Sequence, residues 1–192
     1  MQLVFATNNK NKIEEVKQLL SNNFSILSLL DINCEEELPE TGNTLEYNAS
    51  EKAWHIYKKF KKNCFADDTG LEIDALDGRP GVISARYASE QKNAEDNINK
   101  VLLQMKNIAN KRCNFKTIMS LIINNKEYLF KGIINGTILS EPKGKKGFGY
   151  DPIFLPEGFT KSFAEMDMEE KNKISHRALA VKKLVAFLND LK

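Results

Sequence analysis

Residues 64–70 read Cys64-Phe65-Ala66-Asp67-Asp68-Thr69-Gly70, and this stretch decides the fold class. Its three apolar residues predict a buried strand, which the acidic pair and Thr69-Gly70 are expected to end. A helix is predicted just before it, from Thr44 to about Phe60, because apolar residues recur there along one face and Asn43 and Glu46 have the spacing of a capping box. A helix followed by a buried strand is typical of α/β proteins.

The alternation of strands and helices extends in both directions along the chain. A strand is predicted over residues 3–7, with a loop and a helix after it. Asn93 is the predicted cap of a third helix, and Asn124-Asn125 the predicted turn of a β-hairpin. Residues 142–152 are a predicted loop, and Ser175 is the predicted cap of the last helix. A hairpin combined with strand–helix alternation predicts a mixed sheet.

Length and composition set the broad class of the protein. The 192 residues carry 28 basic and 26 acidic side chains, a formal charge of +2, which argues for neither nucleic acid nor a membrane as a partner. Widely spaced cysteines and the lack of an apolar run of membrane-spanning length lead us to expect a cytoplasmic protein without disulfides. No linker or repeat divides the chain, so residues 1–192 are expected to form a single domain.

The acidic pair Asp67-Asp68 is the strongest indication of chemistry in the sequence. A strand end holds such carboxylates at the sheet edge where ligands of α/β folds bind, and hard oxygen ligands suit Mg²⁺. Neighbouring residues of a strand point to opposite sides, so one carboxylate is expected to face a metal while the other supports it. The alternative is a polar junction between a strand and a turn, where Asp is favoured for its hydrogen bonding.

Lys12 lies just inside the first predicted helix, after an Asn-rich loop. Its ammonium and the N–H groups of the helix start could bind phosphate together. The loop lacks the glycines of a Walker A motif, and an ordinary solvated helix start is the alternative.

Two later stretches have residues suited to a nucleotide pocket. Residues 143–151 contain three lysines, three glycines and two aromatics, which suit a loop that covers a nucleotide, although a plain surface loop is the alternative. At Ser175-His176-Arg177 the cations oppose the helix dipole, so they either donate to a ligand carbonyl or phosphate or lie exposed at a helix end. No nucleophile motif is present, and attack by an activated water molecule is therefore expected.

Six groups of residues follow one another in a characteristic order. They are Phe5-Ala6-Thr7-Asn8-Asn9-Lys10-Asn11-Lys12; Glu40-Thr41-Gly42 with Asn48-Ala49 and Lys52; Phe65-Ala66-Asp67-Asp68-Thr69-Gly70-Leu71; Gly78-Arg79-Pro80-Gly81-Val82 with Ser84-Ala85-Arg86-Tyr87; Gly147-Phe148-Gly149-Tyr150-Asp151-Pro152; and Glu170-Lys171 with Ser175-His176-Arg177. Together they resemble the inosine triphosphate pyrophosphatase family, also called non-canonical purine NTP pyrophosphatases, over essentially the whole chain.

The resemblance implies a fold, a reaction and an assembly. The fold would be α/β, an elongated mixed β-sheet flanked by helices, with two lobes and the active-site cleft between them. The enzyme would hydrolyse a purine nucleoside triphosphate (ITP, dITP or XTP) between the α and β phosphates, with Mg²⁺ as cofactor. The products would be the monophosphate and pyrophosphate, and the protein would be a homodimer.

The resemblance also implies roles for individual residues. Asp68 would be a metal ligand and the catalytic proton acceptor, Glu40 the second metal ligand, and Asp67 a supporting carboxylate. Phosphate and substrate binding would fall to Thr7, Asn8, Asn9, Lys10, Asn11, Lys12, Lys52 and Thr69. Base and nucleotide binding would fall to Phe148, Gly149, Tyr150, Asp151, Lys171, His176 and Arg177. Asn8 departs from the small Gly that the family commonly has, and its side chain could narrow the approach of phosphate to the backbone.

Two other functions stay open on the sequence. A pyrophosphatase for modified pyrimidine nucleotides would share the architecture but lack the Ser175-His176-Arg177 ending, and would prefer dTTP to ITP. A non-catalytic nucleotide or RNA-binding module using residues 143–151 would bind without turnover, with an affinity that falls as salt rises.

Overall fold

The computed structural model describes residues 1–20 and 24–191. The helices are α1 (Lys10–Leu19), α2 (Leu45–Phe60), α3 (Ala94–Gln104), α4 (Met168–Ile174) and α5 (His176–Asp190). The strands are β1 (Gln2–Phe5), β2 (Ser25–Leu27), β3 (Cys64–Ile73), β4 (Arg112–Ile123), β5 (Lys126–Ile138) and β6 (Phe154–Pro156). Short 3₁₀ turns lie at Leu30–Ile32, Asp74–Leu76, Gly81–Arg86 and Asp151–Ile153.

One six-stranded sheet has the order β2-β1-β3-β4-β5-β6. Strand β1 pairs in parallel with both β2 and β3, whereas β5 and β6 are antiparallel. The prediction of a mixed α/β fold is therefore confirmed. None of the helices in the described part of the chain is long and apolar enough to cross a membrane.

Strand β3 does not end where the sequence suggested. It runs unbroken from Cys64 to Ile73 and carries Asp67 and Asp68 in its middle, so the predicted stop at the acidic pair is wrong. Both aspartates are buried. Cationic partners from distant parts of the chain, Lys12 for Asp67 and Lys52 for Asp68, remove the need for these carboxylates to reach water.

Local signals predicted the starts of α2 and α3 and the hairpin turn to within one residue. Asn93 caps α3 by accepting the N–H groups of the next turn, as predicted. Helix α2 is capped by Thr44, which accepts the Tyr47 N–H at 3.1 Å, so the predicted cap at Asn43 is wrong by one residue. Asn124 and Asn125 have φ of 48° and 63°, the left-handed pair that a two-residue hairpin turn requires.

A short helix was missed near the C-terminus. Helix α4 begins with a capping box in which Asp167 and Glu170 exchange hydrogen bonds with each other's backbone. It ends at Ile174, and the extended backbone of Ser175 separates it from α5, so Ser175 does lie directly before the last helix.

The chain divides into two compact units. The first unit comprises Met1–Asp68, Thr117–Gly132 and Arg177–Lys192, and the second comprises Thr69–Lys116 and Ile133–His176. In the first unit, Phe5 and Phe65 stack at 4.5 Å in one apolar cluster with residues of α5, while Cys64 and Ala66 belong to another cluster with residues of α2. In the second unit a single cluster surrounds Phe115.

Candidate active site

The carboxylates of Asp67 and Asp68 lie on opposite sides of strand β3. Side chains alternate along a strand, so Asp67 follows the side of Phe65, and Asp68 follows the side of Cys64 and Ala66. Asp67 accordingly contacts Lys12, on α1, whereas Asp68 faces α2. The acidic pair therefore has two separate sets of partners, as the alternation of a strand predicts.

Asp68 lies against two side chains of α2. Asn48 Nδ2 donates to Asp68 Oδ2 at 3.2 Å, and Lys52 Nζ lies 3.5 Å from Asp68 Oδ1. The same ammonium lies 2.5 Å from Glu40 Oε1. Asn48 and Lys52 are one helical turn apart, which explains how one face of α2 serves both contacts. Helix α2 thus brings Glu40, Asp68 and Lys52 together.

Burial and charge act on this group in opposite directions. Burial raises the pKa of Asp68, and Lys52 only partly offsets that effect. For Lys52, burial alone would lower the pKa, but Asp68 and Glu40 outweigh it and raise the pKa, which keeps the ammonium charged. A carboxylate with a raised pKa beside a permanent cation is a suitable proton acceptor.

Asp67 lies in a network of buried charges. Lys12 Nζ donates to Asp67 Oδ1 at 3.0 Å, and Arg177 Nε and Nη2 lie 3.4 and 3.3 Å from Asp67 Oδ2. Arg177 Nη1 also donates to Glu15, on α1. Burial would raise the pKa of Asp67, but Lys12 and Arg177 hold it well below its usual value. Burial lowers the pKa of Lys12, with Asp67 opposing that effect. The network keeps Asp67 ionised and fixes the Lys12 ammonium.

Arg177 is inaccessible in this arrangement. Its exposed fraction is 1% and that of His176 is 3%, so the alternative of two exposed residues at a helix end is wrong. The guanidinium is held by Asp67 and Glu15, which favours a positioning role for Arg177 over direct contact with a nucleobase.

The loop before α1 is polar and mostly exposed. Thr7 is buried and its Oγ1 accepts the Asn9 N–H at 3.2 Å, while Asn9 caps α1 by accepting the Lys12 N–H at 3.2 Å. Asn8, Asn9, Lys10 and Asn11 are exposed, and the first turn of α1 carries no acidic side chain. The first turn of α1 therefore presents N–H groups and lysines and carries no carboxylate of its own, which suits an anion.

Asn8 does not need the conformational freedom of glycine. It is not among the described residues with a positive φ, and its Nδ2 donates to the Glu36 carbonyl at 3.4 Å. Its side chain is thus turned toward the loop that contains Glu40.

The second unit holds the aromatic and glycine-rich stretch. Phe148 N donates to Asp151 Oδ2 at 2.8 Å, and Lys171 Nζ donates to the same oxygen at 2.6 Å. The Lys171 ammonium also lies 4.9 Å from the centre of the Phe148 ring. Gly149 has a φ of 61°, which lets the chain turn between the two aromatics of this loop. Phe148, Asp151 and Lys171 are therefore assembled into one cluster.

The remaining candidates of the second unit are fixed by packing. Tyr150 is buried and its hydroxyl donates to the Ser84 carbonyl at 2.8 Å, which fixes the ring within this unit. The His176 ring stacks on Phe115, with ring centres 4.6 Å apart and planes 17° apart. Thr69 also belongs to this unit, next along β3 from Asp68.

The residues of the first unit fit a hard divalent cation. No group of three or more His, Cys, Asp or Glu side chains suitable for a metal occurs within residues 1–20 and 24–191. Glu40 and Asp68 nevertheless share one cation already, the Lys52 ammonium. Two carboxylates that leave the other positions to water and phosphate oxygens are the usual protein contribution to Mg²⁺, and an all-protein zinc site would need more ligands.

Comparison with known proteins decides the family. The model of the Ham1 family matches residues 3–187. The chain belongs to the Ham1 family. It is 53% identical over 192 residues to a dITP/XTP pyrophosphatase of Flavobacterium johnsoniae, with both chains fully covered. It is 44% identical over 191 residues to a dITP/XTP pyrophosphatase of Bacillus subtilis, covering 97% of this chain and 96% of that one.

Solved structures of Ham1 proteins have the same fold. The Staphylococcus aureus Ham1 protein is 37% identical, with a TM-score of 0.91 and complete coverage of both chains. A Ham1 protein from Coxiella burnetii is 34% identical, with a TM-score of 0.91 and 99% of each chain covered. The resemblance found in the sequence is therefore confirmed at the level of the family and the fold.

Three contributors to this Ham1 site had no role assigned from the sequence. Glu15 binds Arg177, Asn48 binds Asp68, and Glu51 binds the residue after Glu40. All three lie on helices one turn from, or next to, a lysine of the site, and that helical spacing is the signal that could have found them.

Proposed function

We propose that this protein is a dITP/XTP pyrophosphatase, which hydrolyses dITP, ITP and XTP to the nucleoside monophosphate and pyrophosphate. The observation that carries the proposal is the pairing of Asp68 and Glu40 with one buried lysine, Lys52, in a chain 53% identical to a protein of that name along its entire length. A lysine-lined pair of carboxylates suits chemistry at phosphorus.

Glu40 and Asp68 would hold the Mg²⁺ ion. When bound, this ion would neutralise the triphosphate and polarise the phosphorus that is attacked. Lys52 keeps the two carboxylates within reach of one ammonium, and its raised pKa keeps it charged at neutral pH. It could therefore contact a phosphate oxygen once a stronger cation takes its place between the carboxylates.

Asp68 is the proposed proton acceptor for the attacking water. Asn48 holds one carboxylate oxygen at 3.2 Å, which orients the other toward Lys52. Burial raises the pKa of Asp68, and this strengthens the carboxylate as a base. Asp67, on the opposite face of β3, would act only by fixing Lys12.

Lys12 and the start of α1 are the proposed anion site for the leaving pyrophosphate. Its ammonium is fixed by Asp67 at 3.0 Å, and the exposed residues Asn8 to Asn11 precede or open the helix. Arg177 would act through Asp67, because its guanidinium is buried among carboxylates. The cations then offset charge that builds up on the leaving group.

For base recognition, the proposal remains with residues of the second unit. Hypoxanthine and xanthine present a 6-keto acceptor, whereas adenine presents an amino donor at that position. The donors of Lys171 and His176 could read the keto group, while the Phe148 ring, already beside an ammonium, could stack on a base. Adenine would leave a donor unpaired, which disfavours ATP.

The test is pyrophosphate release by the purified protein with Mg²⁺. We expect kcat/KM for ITP, dITP and XTP to exceed that for ATP and dTTP by at least about 100-fold. Asp68→Asn protein purified in the same way is the control for contaminating phosphatases. A preference for dTTP would favour the pyrimidine alternative, and salt-sensitive binding without turnover would favour the binding module.

We also propose a homodimer, for which light scattering should give twice the 21.8 kDa chain mass.

A further inference from the structure

The loop that carries Glu40 lies along helix α2 in reverse order. Glu40 contacts Lys52 at 2.5 Å, Thr41 contacts Glu51 at 2.9 Å, and the Gly42 N–H donates to Asn48 Oδ1 at 2.8 Å. As the loop advances from residue 40 to 42, its partners step back along the helix from 52 to 48. Each of three consecutive loop residues is therefore fixed by its own α2 side chain.

Glu51 makes the double contact of this series. Its Oε2 accepts the Thr41 N–H at 2.9 Å and its Oε1 accepts the Thr41 hydroxyl at 2.8 Å. Because Thr41 donates two hydrogen bonds to the same carboxylate, both the position and the rotation of its peptide are fixed. That peptide joins Thr41 to Glu40, so its orientation sets where the Glu40 side chain starts.

Side-chain contacts hold the rest of this loop in place. Residues 35–43 contain no helix or strand, and the part before Glu40 is anchored by Glu36, which contacts His55 at 2.8 Å and Lys59 at 2.9 Å, and by Leu38, which packs against the apolar cluster of Cys64 and Ala66. Glu40 lies between those anchors and the Glu51 contact, with a third of its side chain exposed. Releasing Thr41 would therefore loosen the segment next to Glu40, although Gly42 would keep its hydrogen bond to Asn48.

We infer that Glu51 is a positioning residue, which holds the Glu40 carboxylate at the distance from Asp68 that a divalent cation requires. Glu51 itself contacts neither the cation nor the substrate in this role. The inference rests on the proposed function for the identity of the cation. We call the two hydrogen bonds from Thr41 to Glu51 the clamp, and their effect on the Thr41 N–H can be measured without nucleotide or metal.

The first measurement is amide hydrogen exchange by NMR in protein free of metal and nucleotide. Glu51→Ala should speed exchange at Thr41 at least about threefold, because its N–H loses a charged acceptor. Glu51→Gln keeps an acceptor oxygen and should restore most of the protection. Unchanged exchange at Thr41 in Glu51→Ala would overturn the inference.

The second measurement is Mn²⁺ binding without nucleotide, followed by electron paramagnetic resonance. Glu51→Ala should weaken binding about threefold to tenfold, and Glu51→Gln clearly less, although both remove the same charge. Glu37→Gln is the matched control, since it removes an exposed carboxylate from the same loop. Equal losses in Glu51→Ala, Glu51→Gln and Glu37→Gln would mean that charge alone acts, and would overturn the positioning role.

Kinetics separate this inference from the proposed function. If wild-type protein hydrolyses ITP, Glu51→Ala should raise the Mg²⁺ concentration needed for half-maximal rate, with kcat at saturating Mg²⁺ within about twofold of wild type. A fall in kcat with no change in Mg²⁺ dependence would contradict positioning. Lack of ITP turnover by the wild type would reject the proposed function and leave the exchange and Mn²⁺ results to decide the clamp.

Discussion

Replacing Arg177 by Met should cost more stability than any other single change in the buried charge network. Met fills a similar volume but carries no charge. The substitution leaves Glu15 and Asp67 without the guanidinium that both now contact, and their side chains are 2% and 0% exposed. Because no solvent screens these groups, breaking the pair should lower the free energy of unfolding by about 3–5 kcal/mol.

A double-mutant cycle separates charge from packing. Glu15→Gln keeps the shape and an acceptor for Arg177, so it should cost only about 1–2 kcal/mol. The double variant Glu15→Gln/Arg177→Met no longer contains the Glu15 charge that Arg177 contacts in the wild type. Its loss should fall short of the sum of the single losses by at least about 1.5 kcal/mol.

The pH dependence gives a second measure of the same network. The pKa of Asp67 is depressed below 3.8, so its contribution to wild-type stability is present above that pH and is lost as the pH falls further. In Arg177→Met, protonation of a buried carboxylate would remove a charge that has lost its guanidinium partner. The difference between wild type and Arg177→Met should therefore shrink on acidification.

Urea unfolding followed by circular dichroism at pH 7 and pH 4 is the assay. Thermal unfolding should agree with it, since about 3–5 kcal/mol corresponds to a loss of roughly 6–20 °C in Tm for a chain of this size. A loss below about 1 kcal/mol for Arg177→Met, or strict additivity in the cycle, would refute the account of Arg177 as the counter-charge of two buried carboxylates.

Three further predictions concern the site, the loop and the hairpin. Asp68→Asn should lower kcat for ITP by at least about 10³ while Tm stays within a few degrees, and near-normal pyrophosphate release would reject Asp68 as the base. His55 and Lys59 hold the pKa of Glu36 at about 2 instead of 4.5, so its stabilisation is present above pH 4.5 and lost as the pH falls toward 2. Carboxyl NMR should show this low pKa of Glu36 in the wild type, and an ordinary value there would contradict the contacts. In His55→Ala the pKa of Glu36 should rise toward 4.5, with Lys59 still holding it below that value. Asn125→Ala should lower the free energy of unfolding by about 1 kcal/mol, because alanine tolerates the left-handed region poorly; an unchanged urea midpoint would argue against that backbone conformation.

The sequence predicted best those features that are settled within a few residues. The Asn93 cap and the Asn124-Asn125 turn depend on hydrogen bonds and backbone angles inside one turn. The few neighbouring residues are therefore enough to predict them. At α2 both Asn43 and Thr44 are capping residues, and no local rule chooses between them. In the structure Thr44 has the extended backbone of the cap and accepts the Tyr47 N–H.

The length of strand β3 could not be predicted from neighbouring residues alone. Aspartate is disfavoured within strands, so the prediction that β3 ends at Asp67 was reasonable locally. The partners that make Asp67 tolerable, Lys12 and Arg177, are 55 and 110 residues away. Only the tertiary fold brings those charges to the strand, and it lengthens β3 through the site.

The sequence predicted which residues belong to the candidate site better than it predicted the contacts between them. Their place in the predicted strand and helix indicated Lys12 and the acidic pair, and the family resemblance added Lys52. Glu15 and Glu51 look in the sequence like ordinary charged residues of exposed helices. Their importance depends on which way each helix face turns, and hydrophobic periodicity gives that direction only to within about one residue. Side chains that hold other side chains in place are therefore the hardest to find from sequence.

The late position of Arg177 in the chain has a consequence for biosynthesis. Glu15 and Asp67 leave the ribosome early, but their shared guanidinium is 162 residues beyond Glu15 and arrives with the last helix. Until then the nascent chain is expected to leave the Glu15 carboxylate in water, because burying it without the guanidinium is costly. The first unit can therefore close only after synthesis is nearly finished, and a product truncated before Arg177 should remain open to proteases.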